Sequence, residues 1–266
     1  MIPQASTMNS GRWWWLLAAS IAISLVALAP AALLERALSS TANVQPQFVA
    51  DAGTVWTGRG RLIVAADSAP MVIPIAWRFD PLSLLRLRAG FFVEANSPAL
   101  AGTTHIGLGW RSVVLSNTSM NADARLVSMT HTAVAILAPA GRVRLQQSGD
   151  ERFSVQPASS DKESWRVDGS MGLNADQLAF GGFINAPVGS HEIKLRGDGA
   201  TINVSILRSS GPLKLEGVGN IALTSPRRFT FSGFATTTAA DAPVALKQLG
   251  PVMADGRQRI EINTTW

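Results

Sequence analysis

The 266-residue chain contains neither cysteine nor tyrosine, and only 15% of its residues are charged. Without cysteine, disulfide bonds, a thiol nucleophile and cysteine-ligated metal sites are all excluded. The lack of disulfides does not argue against export, because a domain of this size buries a sufficient core without them. The 23 glycines and 14 prolines are typical of many short strands joined by turns.

Motifs for catalysis and cofactor binding are also missing. The histidines His105, His131 and His191 are far apart and form no HxH or HxxxH pair, so a zinc site would need ligands from distant strands. No GxSxG nucleophile elbow and no P-loop occur. An SxxK match at Ser159 and Lys162 stands in a polar segment without its partner motifs. We therefore predict a protein that is not an enzyme and binds no cofactor or metal.

The charge balance is mildly basic, with a net charge of +5. Only Arg12 precedes Glu35, so 22 basic and 18 acidic residues lie beyond the N-terminal part of the chain. No segment combines a basic run with interleaved aromatic side chains, which excludes nucleic acid as a partner. We interpret the arginine-rich surface first as a solvated one. Contact with anionic lipid headgroups or with an acidic partner is the alternative.

An uncharged apolar run, WWWLLAASIAISLVALAPAALL, extends from Trp13 to Leu34. As a helix it would be about 33 Å long, enough to cross a hydrocarbon core of about 30 Å. Trp13, Trp14 and Trp15 follow Arg12 directly, where an interfacial aromatic belt is expected. The run predicts a transmembrane anchor over residues 13–34. The positive-inside bias then puts residues 1–12 in the cytoplasm and the remainder on the far side.

The same run is too long for the apolar core of a cleaved signal peptide, which usually has 7 to 15 residues. The small-residue boxes Ala27-Leu28-Ala29 and Ala29-Pro30-Ala31 are poor cleavage sites because of Pro30. We therefore expect an uncleaved anchor. A polar linker over residues 35–50 and a β-rich domain over residues 51–266 are expected to follow it.

Beyond the linker, apolar and polar residues alternate with a period of two. The apolar members are Ile73, Ile75, Trp77 and Phe79; Val143 and Leu145; Ile193 and Leu195; Leu213 and Leu215; Phe229 and Phe231; and Ile260 and Ile262. One apolar and one polar face per strand predicts an antiparallel sheet with one wet side. We expect a mainly β fold, with an elongated or curved sheet and a few short helices.

Helices are predicted where start and stop signals occur. Asp80 and Pro81 offer an N-cap and a first-turn proline, and a second short helix is expected over Ala242–Leu249. The segment Met120–Leu137 is ambiguous between helix and strand. The polar stretch Gly149–Ser164 is either a boundary between two halves or a long hairpin loop, and we favour the loop.

Four short motifs occur in a characteristic order. They are a G-x-x-W-x-G-x-G segment, a W-x-x-x-P-L segment, a G-P-L-x-L-x-G strand and a late D-G-R turn. Their members are Gly53, Trp56, Gly58 and Gly60; Trp77, Pro81 and Leu82; Gly211, Pro212 and Gly217; and Asp255, Gly256 and Arg257. In this order, and after an N-terminal apolar helix, the chain resembles the N protein of the bacterial type II secretion system.

The resemblance implies a Gram-negative inner-membrane protein, single-pass, with a cytoplasmic N-terminus and a periplasmic domain. Its partners would be other type II secretion components and, through the helix, the lipid bilayer. The motifs are expected to be structural, with tryptophan filling the core and glycine allowing tight turns. No catalytic residue carries over. An exposed sheet edge or apolar face would bind the partner; the alternative is a β-groove that binds or transfers lipid.

Overall fold

A computed structural model of the chain describes residues 10–41, 47–64, 70–128, 139–147, 151–157, 165–180, 184–237 and 250–265. Three α-helices occur there, α1 (Ser10–Ala27), α2 (Ala32–Thr41) and α3 (Arg125–Ser128), besides a 3₁₀ helix at Pro81–Arg86. The helix expected at Ala242–Leu249 lies outside the described residues. In the ambiguous segment Met120–Leu137, the described part is the end of a strand followed by α3.

The expectation of one helix through Leu34 is wrong in its bounds. Helix α1 ends at Ala27 and α2 begins at Ala32. Pro30 explains the break, because it has no N–H for the helix and disfavours helical geometry in the preceding residue. Among the described residues, no helix has both the length and the apolar character needed to cross a membrane. Within the expected linker, residues 35–50, α2 extends to Thr41 and the first strand begins at Gln47.

The described residues contain one antiparallel sheet of fourteen strands, as the alternating pattern predicts. The strands are β1 (Gln47–Gly53), β2 (Thr57–Val64), β3 (Met71–Asp80), β4 (Ala89–Asn96), β5 (Leu100–Leu108), β6 (Val113–Asp123), β7 (Pro139–Gln146), β8 (Arg152–Pro157), β9 (Trp165–Phe180), β10 (Ile184–Gly199), β11 (Thr201–Ser210), β12 (Leu213–Ala222), β13 (Arg228–Thr237) and β14 (Gln258–Thr265). Their order follows the sequence except at β8.

Strands β7 and β8 occupy one position in this meander. Both pair with β6 and with β9, in the same direction and end to end. The side chain of Gln147 bridges the gap between them, since its Oε1 accepts from Thr118 N–H (3.3 Å) and its Nε2 donates to Leu115 C=O (3.2 Å). The stretch Gly149–Ser164 therefore contains a strand of the common sheet, and the favoured prediction of a hairpin loop is wrong over Arg152–Pro157.

The register places the predicted apolar residues on one face of the sheet. Residues directly opposite each other share a face. The facing pairs include Ile75 with Ala95, Met120 with Leu145, Leu145 with Leu173, Leu173 with Ile193, Leu195 with Val204 and Phe231 with Ile262. Ile73 and Trp77 are buried on this face in the N-terminal half. In the C-terminal half, Val188, Leu213, Ala235 and Ile260 form a buried cluster.

Candidate functional site: the tryptophan junction

Trp77 is the centre of the site that the first two motifs build. Its side chain is 6% exposed. The indole Nε1 donates to the backbone carbonyls of Thr54 (3.2 Å) and Val55 (3.1 Å), which form the turn between β1 and β2. The ring of Phe48 meets it edge-on at 5.6 Å. A single side chain from β3 thus holds the preceding β1–β2 turn by both packing and hydrogen bonds.

The motif glycines make room for these rings. A Cβ on Gly58 would lie 2.5 Å from the Trp77 ring, and one on Gly60 would lie 3.1 Å from the Phe48 ring. Gly53 has a φ of +105°, and a Cβ there would collide with the backbone of Thr57 and Gly58. The glycines of the G-x-x-W-x-G-x-G motif are therefore explained by close packing against the two rings and within the β1–β2 turn.

Trp56 connects this cluster to the N-terminal helices. Its indole Nε1 donates to the carbonyl of Val26 (2.7 Å), in the last turn of α1, and its ring contacts Phe79 at 4.8 Å. The segment after α1 continues along β1, where Ala31 N–H donates to Gly53 C=O (3.1 Å). The carboxylate of Glu35 accepts from Ala50 N–H (3.1 Å). The first strand therefore has its outer edge covered in part by the chain that leads into it.

Pro81 and Leu82 begin the 3₁₀ helix, as the N-cap signal predicts. The carboxylate of Asp80 accepts from Leu82 N–H (3.1 Å). The second carboxylate oxygen of Asp80 lies 3.2 Å from His105 Nε2, within hydrogen-bond distance. The other ring nitrogen, His105 Nδ1, lies 3.1 Å from Ser116 Oγ. A cavity of about 390 Å³ beside these groups is lined in part by Arg86, Arg88 and Arg152. Sequence reasoning missed this cluster, because its residues come from separate strands and only the Asp80 cap has a local signal.

The second pair of motifs lies in the other half of the sheet. Gly211 has a φ of +108°, and a Cβ on it would come within 2.6 Å of Gly189 Cα. Pro212 follows it at the turn into β12. Gly217 lies opposite Gly233, and a Cβ on Gly217 would lie 2.7 Å from the Phe231 ring. These residues therefore lie beside the Val188 cluster and not beside Trp77.

The turn Asp255-Gly256-Arg257 precedes β14. Asp255 accepts hydrogen bonds from the backbone N–H (3.0 Å) and the guanidinium Nε (2.6 Å) of Arg257. These two bonds lower the pKa of the Asp255 carboxyl. The guanidinium also stacks on the ring of Phe234, 4.7 Å from its centre. The turn thereby ties the start of β14 to β13.

The anchor residues are split between the two helices. Trp13, Trp14 and Trp15 lie in α1, where Trp14 and Trp15 are 70% and 80% exposed, whereas Leu34 lies half-buried in α2.

For metals, the described residues contain no group of three or more histidine or acidic side chains placed to hold an ion.

His191 is a buried histidine on the apolar face, 3% exposed. Its Nδ1 lies 2.8 Å from Ser209 Oγ, and within the described residues its Nε2 has no hydrogen-bond partner. Burial lowers its pKa below the ordinary value of 6.5, because the charged form loses hydration.

We expect this histidine to make the fold sensitive to acid. The unfolded chain takes up a proton below about pH 6.5 while folded His191 stays neutral, so the free energy of unfolding falls as pH falls below that value. His191→Gln should reduce this loss, and His105→Gln should retain it. Urea unfolding between pH 7.5 and 5, followed by circular dichroism, measures the slope. Equal slopes for His191→Gln and the wild type would contradict the assignment.

A sequence model of the type II secretion system (T2SS) protein N matches residues 49–261, about four fifths of the chain. The chain belongs to the T2SS protein N family. The match spans the Trp77 junction, the Val188 cluster and the D-G-R turn, and so confirms the family resemblance. No curated protein and no solved structure matches the chain significantly.

Proposed function

We propose that this T2SS protein N family member is a non-catalytic secretion component held at the inner membrane by α1, with its sheet in the periplasm. Membership of the family carries the assignment to type II secretion. The exposed apolar side chains of α1, among them Trp14, Trp15 and Leu25, support attachment to lipid. The role of the sheet in this proposal is to bind another secretion component.

The outer edge of β14 supports this role. Arg259 N–H donates to Pro251 C=O (3.1 Å), so the backbone of Arg259 points away from β13. Alternate residues of an antiparallel strand point the same way, which directs the backbone groups of Glu261, Asn263 and Thr265 outward too. Within the described residues, no segment pairs with this edge beyond Arg259.

An outward-pointing edge of this kind accepts a further strand from a partner. At the other end of the strand order, the N-terminal chain covers part of β1 through Ala31 and Glu35. The two edges therefore differ, and β14 is the better docking site. We infer that a strand of another secretion component adds to β14.

Asn263→Pro is expected to block this strand addition. Proline removes an N–H that points outward and is tolerated at a sheet edge, so the fold should be retained. We expect loss of co-purification with secretion components from solubilised membranes, together with loss of export of folded substrates. Asn263→Ala keeps the N–H and serves as the matched control.

Circular dichroism and thermal unfolding establish that both variants fold. A folded Asn263→Pro protein that still recovers the same components and supports export would refute docking at β14. Failure of the wild-type protein to recover any secretion component would refute the wider proposal.

A second candidate function is supported by the apolar face. Several of its side chains are only half-buried, including Ile75, Leu145 and Leu195. A continuous apolar face that stays partly open suits an acyl chain as well as a protein partner. Mass spectrometry of the purified full chain discriminates between the two, because a lipid-carrying groove would retain stoichiometric lipid.

A further inference from the structure

Three turns lie side by side at one end of the sheet. They are residues 54–56, 81–88 and 109–112, which we call the loop end. The register brings them together, since Thr57 pairs with Arg78, Asp80 with Gly90, and Leu108 with both Ala89 and Val113. This grouping is not evident in the sequence, where the three turns are separated by whole strands.

Large apolar side chains are exposed at the loop end. Leu82, Leu85 and Leu87 are 71%, 84% and 90% exposed, and Trp110 is 98% exposed. These residues have no place in the core, because the 3₁₀ helix packs on the sheet through Ser83, whose Oγ accepts from Gly90 N–H (2.6 Å). The leucines of this helix and its C-cap are thereby left exposed to solvent.

Arginines are interleaved with these apolar residues. Arg86 and Arg88 alternate with Leu85 and Leu87, and Arg111 follows Trp110 directly. Arg86 and Arg88 also line the cavity of about 390 Å³ beside His105. The acidic group nearby, Asp80, already accepts from Leu82 N–H and contacts His105. The loop end therefore offers positive charge next to exposed leucine and tryptophan.

The loop end also lies where α1 joins the sheet. Trp56, in the first of the three turns, donates to Val26 C=O in α1 and contacts Phe79, which directly precedes Asp80. Val55 N–H also donates to Ala29 C=O (2.9 Å), so the first of the three turns contacts the chain at the C-terminal end of α1.

We propose that the loop end is a second membrane contact, which rests on a surface of anionic phospholipid. This inference depends on the membrane attachment proposed above and adds a defined orientation to it. Leu85, Leu87 and Trp110 enter the interface, where aromatic and aliphatic side chains are favoured. Arg86, Arg88 and Arg111 bind headgroup phosphates. The sheet is thereby held with its loop end against the bilayer.

Charge and apolar character together select lipid rather than a protein. Arginine next to exposed leucine and tryptophan is also the composition of segments that lie in the headgroup region. Each arginine near an anionic surface strengthens binding by about fivefold, so three arginines together contribute about a hundredfold. A neutral bilayer offers only the apolar part of this interaction.

The absence of cysteine makes the proposal directly testable. The full chain carrying Leu85→Cys or Trp110→Cys is labelled with an environment-sensitive dye and reconstituted into vesicles. Asn96→Cys, exposed at the opposite end of β4, is the matched control. In vesicles of phosphatidylcholine with phosphatidylglycerol, spin-labelled lipid should quench the dyes at positions 85 and 110 but not the dye at position 96.

Replacing Arg86, Arg88 and Arg111 together by glutamine should remove most of this quenching, as should phosphatidylcholine alone. Dyes at positions 85 and 110 that are quenched no more than the dye at 96 would overturn the inference, if the chain still floats with the vesicles. A chain that does not float overturns both the membrane attachment and the second contact. The two failures are therefore distinguished in one experiment.

Discussion

Trp77→Ala is expected to lower the free energy of unfolding by about 3–5 kcal/mol, the range for truncating a buried tryptophan. That is a large share of the roughly 5–15 kcal/mol that keeps a typical domain folded. The change removes the packing against Phe48 and leaves the carbonyls of Thr54 and Val55 without their donor. Since these carbonyls form the β1–β2 turn, we expect the loss of stability to extend to the contact between this turn and α1.

Two variants separate the contributions. Trp77→Phe keeps much of the buried ring but removes the N–H, and we expect it to cost about 1–3 kcal/mol. Trp110→Ala changes a tryptophan that is 98% exposed, and its effect on stability should stay within about 0.5 kcal/mol. Urea unfolding of the full chain in mild detergent, followed by circular dichroism, measures all three. Equal costs for Trp77→Ala and Trp110→Ala would contradict the central position of Trp77.

Gly53→Ala is the second change for which we expect a large loss, about 3 kcal/mol or more. A left-handed φ costs a residue with a side chain about 1–2 kcal/mol. At Gly53 the added methyl also collides with the backbone of Thr57 and Gly58, which cannot yield without opening the β1–β2 pairing. Both penalties act at the same position, so the turn beneath Trp77 should distort.

Gly256 provides a matched control for this prediction. It also has a left-handed φ, +79°, but a Cβ there meets no atom within 4 Å. Gly256→Ala should therefore show only the conformational penalty of about 1–2 kcal/mol. The same unfolding experiment compares the two variants. A Gly53→Ala variant no less stable than Gly256→Ala would show that crowding at the β1–β2 turn does not matter.

Much of the sheet follows from local pattern. Alternation at Ile73, Ile75 and Trp77 marks a strand because successive side chains of a strand point to opposite faces. The cap at Asp80 and Pro81 marks the 3₁₀ helix because proline and an acceptor side chain suit a helix start. These signals need only neighbours in sequence.

The bounds at the N-terminus were predicted less well. Apolar character continues through Leu34, but Pro30 ends the helical path earlier, and the backbone of Ala31 pairs instead with Gly53. The short strand β8 was not predicted from the sequence. It is one part of a strand position that β7 already fills, so only its pairing with β6 and β9 identifies it.

The sequence by itself determined an antiparallel sheet with one apolar face and four motifs in the order of the type II secretion protein N family. Periodicity, turn chemistry and motif order are local properties and can be recognised without a structure. The tertiary structure alone decided that Gly58 lies under Trp77, that Trp56 holds α1, and that three distant turns form one basic, leucine-rich end. These depend on strand register, which joins residues far apart in the chain and has no signature at any one of them.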